Sequence, residues 1–131
     1  MTILLFSLIA ANTTTGVAAQ YVESEWGGNP LYCDTDGTLF YDIATGPWVA
    51  MPIKDKTWRC GDWIQVSGDG WSLWARALDS GNLHTKTFRG GQPVVVDVPE
   101  YFAKWATPLP IVSVTNWSAV VRECKERGYC D

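Results

Sequence analysis

The chain is 131 residues long, with 47% hydrophobic and 18% charged residues, which fits one globular domain and excludes a disordered polypeptide. A net charge of −4 supplies no basic stripe to neutralise phosphates, so nucleic acid is excluded as a partner. Eight Trp is the unusual feature: each buried indole N–H needs a hydrogen-bond partner, so several rings belong at surfaces or interfaces.

The opening stretch, MTILLFSLIAANTTTGVAAQ, admits two interpretations. As an export signal it has an apolar run from Ile3 to Ala11 and a small-residue cleavage site at Val17-Ala18-Ala19, before Gln20. It lacks a basic front end, and the run is too short to span a bilayer, so no stable membrane span is expected. As a retained segment it reads as a β-strand, Ile3 to Ile9, turning through Asn12–Gly16 into a second strand over Val17–Val22. A retained strand carrying Ile3, Leu4, Leu5, Phe6, Leu8 and Ile9 without charge must be covered, by its own domain or by a neighbouring copy. Strand addition repeated head to tail gives an open filament. Residues 1–22 are therefore set apart as an extension, followed by a linker at 23–30 with two Gly and an Asn-Pro turn signal.

From residue 31 short apolar runs alternate with turns, the pattern of an all-β barrel or sandwich. Strands are expected at Leu39–Asp42, Trp48–Met51, Trp63–Val66, Trp71–Asp79, His84–Phe88, Val94–Val98 and Ile111–Asn116, with Ser67–Gly70 as a hairpin turn. Trp71, Leu73, Ala75 and Ala77 share one face, with small residues where a barrel wall is crowded. Helices are expected over 98–106, with Pro99 in the first turn, and over 118–128, with Ser118 as cap and Gly128 as stop. The last fourteen residues, 118–131, form a C-terminal helix with a bridge.

Four Cys without a C-x-x-C pair, beside a lone His84, favour two disulfides over a metal site; no metal or cofactor is expected. Cys33–Cys60 and Cys124–Cys130 are the favoured pairs among three possible connectivities, and they imply an oxidising, extracellular or cell-surface setting.

Cys60-Gly61, the Gly68–Gly70 turn, Asp79-Ser80-Gly81, Asp97 before Pro99–Trp105, and Ile111–Asn116 occur in an order that resembles the double-psi β-barrel. That superfamily includes rare lipoprotein A, barwin, expansins and related inverting endoglucanases, and the resemblance covers about 31–117. It implies a six-stranded barrel with short helices, whose catalytic members place an acidic Asp near the position of Asp79. Asp97 is then the second carboxyl an inverting hydrolysis requires, or else the cap of the helix that follows it. The motif is eroded: Ser80-Gly81-Asn82 replaces Arg-Gly-Pro, and Val95-Val96-Asp97 replaces His-Phe-Asp. This erosion points away from an enzyme. Trp71 and Trp74, together with Trp48 and Trp63, offer faces for sugar rings, and His84 is near Asp79 in sequence. Asn12 and Asn116 begin glycosylation sequons.

Two functions follow. One is an extracellular structural subunit that forms a homo-oligomer or fibre through its N-terminal strand. The other is a secreted protein that binds or cleaves a cell-wall glycan, polysaccharide or peptidoglycan.

Overall fold

A computed structural model describes residues 2–21, 32–35, 47–52, 57–81, 87–88, 91–99 and 109–130. In chain order they form helix α1 (Thr2–Ala11), strand β1 (Thr13–Tyr21), one helical turn α2 (Tyr32–Thr35), β2 (Trp48–Pro52), β3 (Trp63–Gly68) and β4 (Trp71–Gly81). The short β5 (Thr87–Phe88), β6 (Gln92–Pro99), β7 (Ile111–Asn116) and helix α3 (Trp117–Glu126) complete the order. The linker 23–30, the expected strand 39–42, His84 and the expected helical residues beyond Pro99 lie outside the described residues.

Six strands close into a barrel in the order β1-β7-β3-β4-β2-β6, with β6 returning to β1, while β5 pairs only with β6. Two neighbouring pairs are parallel, β1 with β6 and β2 with β4; the others are antiparallel. Exchanging β1, β2 and β3 for β4, β6 and β7 carries every pairing of the barrel onto another of the same sense. This internal two-fold is the double-psi-like arrangement that the motif order implied.

Alternation fills the interior. Val49 and Met51, Ile64 and Val66, Ala75 and Ala77, Val96 and Val98, and Val112 and Val114 enter one core from successive strands. The apolar face expected on β4 is present: Ala75 and Ala77 are fully buried, with Trp71 and Leu73 packed against the same core. Trp48 is fully buried too, so its ring offers nothing to a ligand.

The first twenty residues differ from expectation. Ile3–Ile9 lies in a helix, not a strand. Leu and Ala are strong helix formers, and a run apolar at every position carries no period by which strand and helix can be separated. The helix stops where Asn12 and Thr13 take over its last carbonyls. Asn12 Nδ2 donates to Leu8 O at 2.8 Å and Thr13 Oγ1 to Ile9 O at 2.6 Å. The triple Thr that follows favours extended backbone and begins β1. The segment expected to turn, 12–16, is therefore largely strand.

β1 is a wall of the barrel and not an extension of it. Val17 and Ala18 are both fully buried, on opposite faces. Ala18 joins the interior, and Val17 packs with Ala19, Val94 and Leu109 outside it. Gly16 permits the approach of β6: a Cβ there would sit 2.5 Å from Pro93 O and 2.6 Å from Val95 Cγ1. The residues of the apparent cleavage site are small because this strand is covered on both sides. With β6 on one edge and β7 on the other, β1 has no free edge for a neighbouring copy. Fibre formation through a strand at Ile3–Ile9 is left without that strand.

α3 is amphipathic, burying Ala119, Val120 and Cys124. Its cap is Asn116, whose Oδ1 accepts Ala119 N–H at 2.9 Å, rather than Ser118. Gly128, at φ 73°, turns the chain away after the helix. Both expected disulfides are formed, Cys33–Cys60 and Cys124–Cys130, with Cα atoms 5.6 and 5.5 Å apart. Val98 and Pro99 belong to β6, so Asp97 is a strand residue and does not cap a helix beginning at 98.

Candidate functional site

The hairpin β3–β4 turns alternate residues outward, and its register sets Trp63 beside Arg76 and Gln65 beside Trp74. Both Trp rings remain open to solvent, 42% and 47% exposed. The Arg76 guanidinium lies 3.7 Å over one face of the Trp63 ring and donates to Gly61 O at 2.8 Å, which fixes the indole in place. α3 forms the opposite bank. Its first residue, Trp117, donates Nε1–H to Gln65 Oε1 at 2.9 Å and stacks near Trp74, with centroids 6.2 Å apart and planes 29° from parallel. Ser118 Oγ accepts the Trp63 backbone N–H at 2.8 Å, pinning the helix to the strand. Between the banks runs an open, mainly apolar groove of about 620 Å³, floored by Trp63, Trp74, Trp117 and Val121 and ended by Asp62 and Arg122.

That end is an ionic knot. Asp62, 4% exposed, accepts Arg122 Nη1 at 2.7 Å and Nη2 at 2.9 Å, Asn116 Nδ2 at 2.9 Å and Arg59 N–H at 2.9 Å. Burial alone would raise the carboxyl's pKa, but the bonds from Arg122, Asn116 and Arg59 and the guanidinium charge together hold it below its usual value. Asp62 therefore stays ionised and paired, and the groove presents no net charge from this end.

Asp79 occupies a second place, near the end of β4. It accepts Tyr32 N–H at 3.0 Å, and burial, only partly offset by this bond and one from Ser80, raises its pKa. Half-exposed Tyr32 meets Trp58 edge to face at 5.9 Å, and Trp58 Nε1–H is held by Pro52 O at 3.1 Å. Asp97 is buried in β6. The backbone register sets Ala50 of β2 opposite both Asp79 and Asp97, so the two carboxyl residues are separated by a whole strand. Two strand spacings put their Cα atoms about 10 Å apart.

Of the sequence candidates, Trp74 lies in the aromatic groove. Trp71 packs on the barrel core and covers Gly68 at the hairpin, away from the groove. Asn116 is 6% exposed with both side-chain ends engaged, and part-buried Asn12 donates Nδ2 to Leu8 O at 2.8 Å and to Glu123 Oε2 at 3.0 Å, so in this fold both amides are engaged in hydrogen bonds. Sequence reasoning missed Trp117, Arg76, Asp62 and Arg122. Counting outward from the Gly68–Gly70 turn would have placed Trp63 and Trp74 on one face. No local signal linked them to Trp117, fifty-four residues beyond Trp63. Among the described residues, no group of three or more His, Cys, Asp or Glu is placed to hold a metal ion, and no helix is long and apolar enough to cross a membrane.

No protein-family model and no curated protein sequence matches the chain. Among solved structures it is similar to the apo form of an expansin from Clavibacter michiganensis, at 18% identity over 79% of this chain, with a TM-score of 0.49. The chain spans about half of that protein, 49% of its length.

Proposed function

We propose that this chain is a secreted glycan-binding protein that receives sugar rings in the Trp63–Trp74–Trp117 groove. The observation that carries this is the groove itself: two half-exposed indoles on adjacent strands, with a third from α3, the first fixed by a guanidinium and the third by an amide. Pyranose rings present apolar C–H faces that stack on indole, while their hydroxyls reach polar groups at the rim. Arg122 and Asp62 satisfy each other, so the groove favours a neutral ligand over a charged one. Two disulfides support export to an oxidising compartment.

Binding is favoured over cleavage because Asp79 lies outside the groove and the motif after it has diverged. The test is equilibrium binding of the full chain to cellulose, chitin and peptidoglycan, and to soluble oligosaccharides of each, beside a Trp74→Ala variant. Saturable binding that the variant loses supports the proposal; absence of binding to every glycan removes it.

A further inference from the structure

The interior of the barrel is not filled at one end. Inward positions on β1 fall at Thr14, Gly16 and Ala18, and Ala18 belongs to the interior core. Thr14 stands directly opposite Val114, another core residue, and cross-strand partners share a face, so Thr14 also faces inward. It is nonetheless exposed. A small barrel ordinarily fills its inward positions with side chains; here three small residues in succession on that face leave room. The room is a cavity of about 360 Å³, where Met51, Val95 and Val114 of the core meet Asn12, Thr14 and Asn116. None of the residues lining it is charged. Its rim is tied in place from several sides. Asn116 Nδ2 donates to Asp62 at 2.9 Å, Thr57 O accepts Arg122 Nη2 at 3.2 Å, and Asn12 Nδ2 donates to Leu8 O and Glu123 at 2.8 and 3.0 Å. Asn12 Oδ1 and the Thr14 hydroxyl meet no hydrogen-bond partner among the described residues.

We infer that this barrel mouth is a second binding site, and that it takes a small uncharged molecule with an apolar ring or short-chain body and one hydroxyl. The site is separate from the sugar groove, with which it shares no lining residue, and does not depend on the glycan reading. A mainly apolar concavity with a few polar groups at a barrel mouth is where small ligands bind. An apolar cavity of roughly 150 Å³ suffices for benzene, so this one admits a bicyclic body. That body lies against Met51, Val95 and Val114, while its hydroxyl meets Asn12 Oδ1 or Thr14 Oγ1. An ion would lose its hydration without gaining a counter-charge, and a pyranose would leave most of its hydroxyls unpaired against the three apolar side chains.

The full chain, labelled with ¹³C in its methionine methyl groups, is titrated with 2-naphthol, naphthalene and 2-naphthoate. It has two Met, and the Met51 methyl reports the cavity directly. 2-Naphthol should shift that signal saturably, and the 2-naphthoate anion should bind at least tenfold more weakly. Thr14→Phe puts a ring in the mouth and should weaken 2-naphthol at least tenfold. Thr14→Val, almost identical in shape, should weaken 2-naphthol about three- to tenfold and leave naphthalene unchanged; it carries the test if the Phe variant does not fold. A Met51 signal unmoved by 2-naphthol, equal binding of 2-naphthoate, or Thr14 variants that bind like wild type would overturn the site. Binding lost in Trp74→Ala but kept in Thr14→Phe would place the probe in the aromatic groove and overturn it too.

Discussion

Replacing Asp62 with Asn tests how the aromatic groove is fixed to the barrel. The substitution keeps the shape and one acceptor oxygen, enough to hold Arg59 N–H or Asn116, but removes the charge and turns an amide NH2 toward the Arg122 guanidinium. Two charge-assisted bonds, at 2.7 and 2.9 Å, are lost. Such bonds contribute roughly 1.5–3 kcal/mol each, and freed Arg122 regains part of that from water because its side chain is 26% exposed. A net loss of about 2–3 kcal/mol follows, which for a domain of this size lowers Tm by roughly 8–12 °C. The effect depends on pH with a definite sign. Asp62 has a folded pKa below its ordinary 3.8, so its stabilisation is present above that value and is lost as pH falls through the folded pKa. Thermal melts of both proteins from pH 7 to pH 2.5 should show a wide gap that narrows as pH falls below 3.8. Equal Tm at pH 7, or a gap that persists undiminished to pH 2.5, would refute the reasoning.

Gly16→Ala forces a methyl group against Pro93 O and the Val95 side chain, and should cost about 1–3 kcal/mol in urea unfolding; wild-type stability would mean β1 and β6 are not in close contact. Asp79→Asn keeps an acceptor for Tyr32 N–H but removes a carboxylate whose pKa burial raises. The wild-type fold binds a proton there more tightly than the unfolded chain does, so its stability falls as pH rises above the ordinary 3.8. The variant should therefore melt higher than wild type at pH 8 and lose that advantage toward pH 4, by calorimetry. Removing Cys33–Cys60 by paired Ala substitution frees a separation of 27 residues and should cost about 3.5 kcal/mol in urea unfolding, against about 2 for Cys124–Cys130 with a separation of 6.

The barrel was legible where strands alternate and turns carry Gly: the expected strands at Trp63–Val66, Trp71–Asp79 and Ile111–Asn116 are present, the first two running on to Gly68 and Gly81, so that Ser67 and Gly68 pair in the ladder and the turn is only Asp69-Gly70. The N-terminal segment was illegible for two physical reasons. An all-apolar run from Ile3 to Ile9 has no period, and a strand buried on both faces is built of the same small residues as a cleavage site. The cap was misplaced by two residues because Asn116 reads as the end of a strand as readily as a cap, and the Ser118 hydroxyl is as good a side-chain acceptor for a helix N–H as the Asn116 amide oxygen. The groove was half legible. Trp74 and Trp63 follow from hairpin counting, whereas Trp117, Arg122 and Asp62 converge through tertiary contacts that have no sequence period.

Whether indole faces bind sugar is decided most directly by titrating cello- and chito-oligosaccharides and a muropeptide into the full chain while following Trp fluorescence and heat. The proposed function predicts saturable binding with a Trp signal change for a neutral oligosaccharide, and a loss of at least tenfold in affinity, about 1.4 kcal/mol, for Trp74→Ala with its Tm nearly unchanged. A wild-type protein whose fluorescence and heat are silent to all of these ligands, or a Trp74→Ala variant that binds as tightly as wild type, would contradict it.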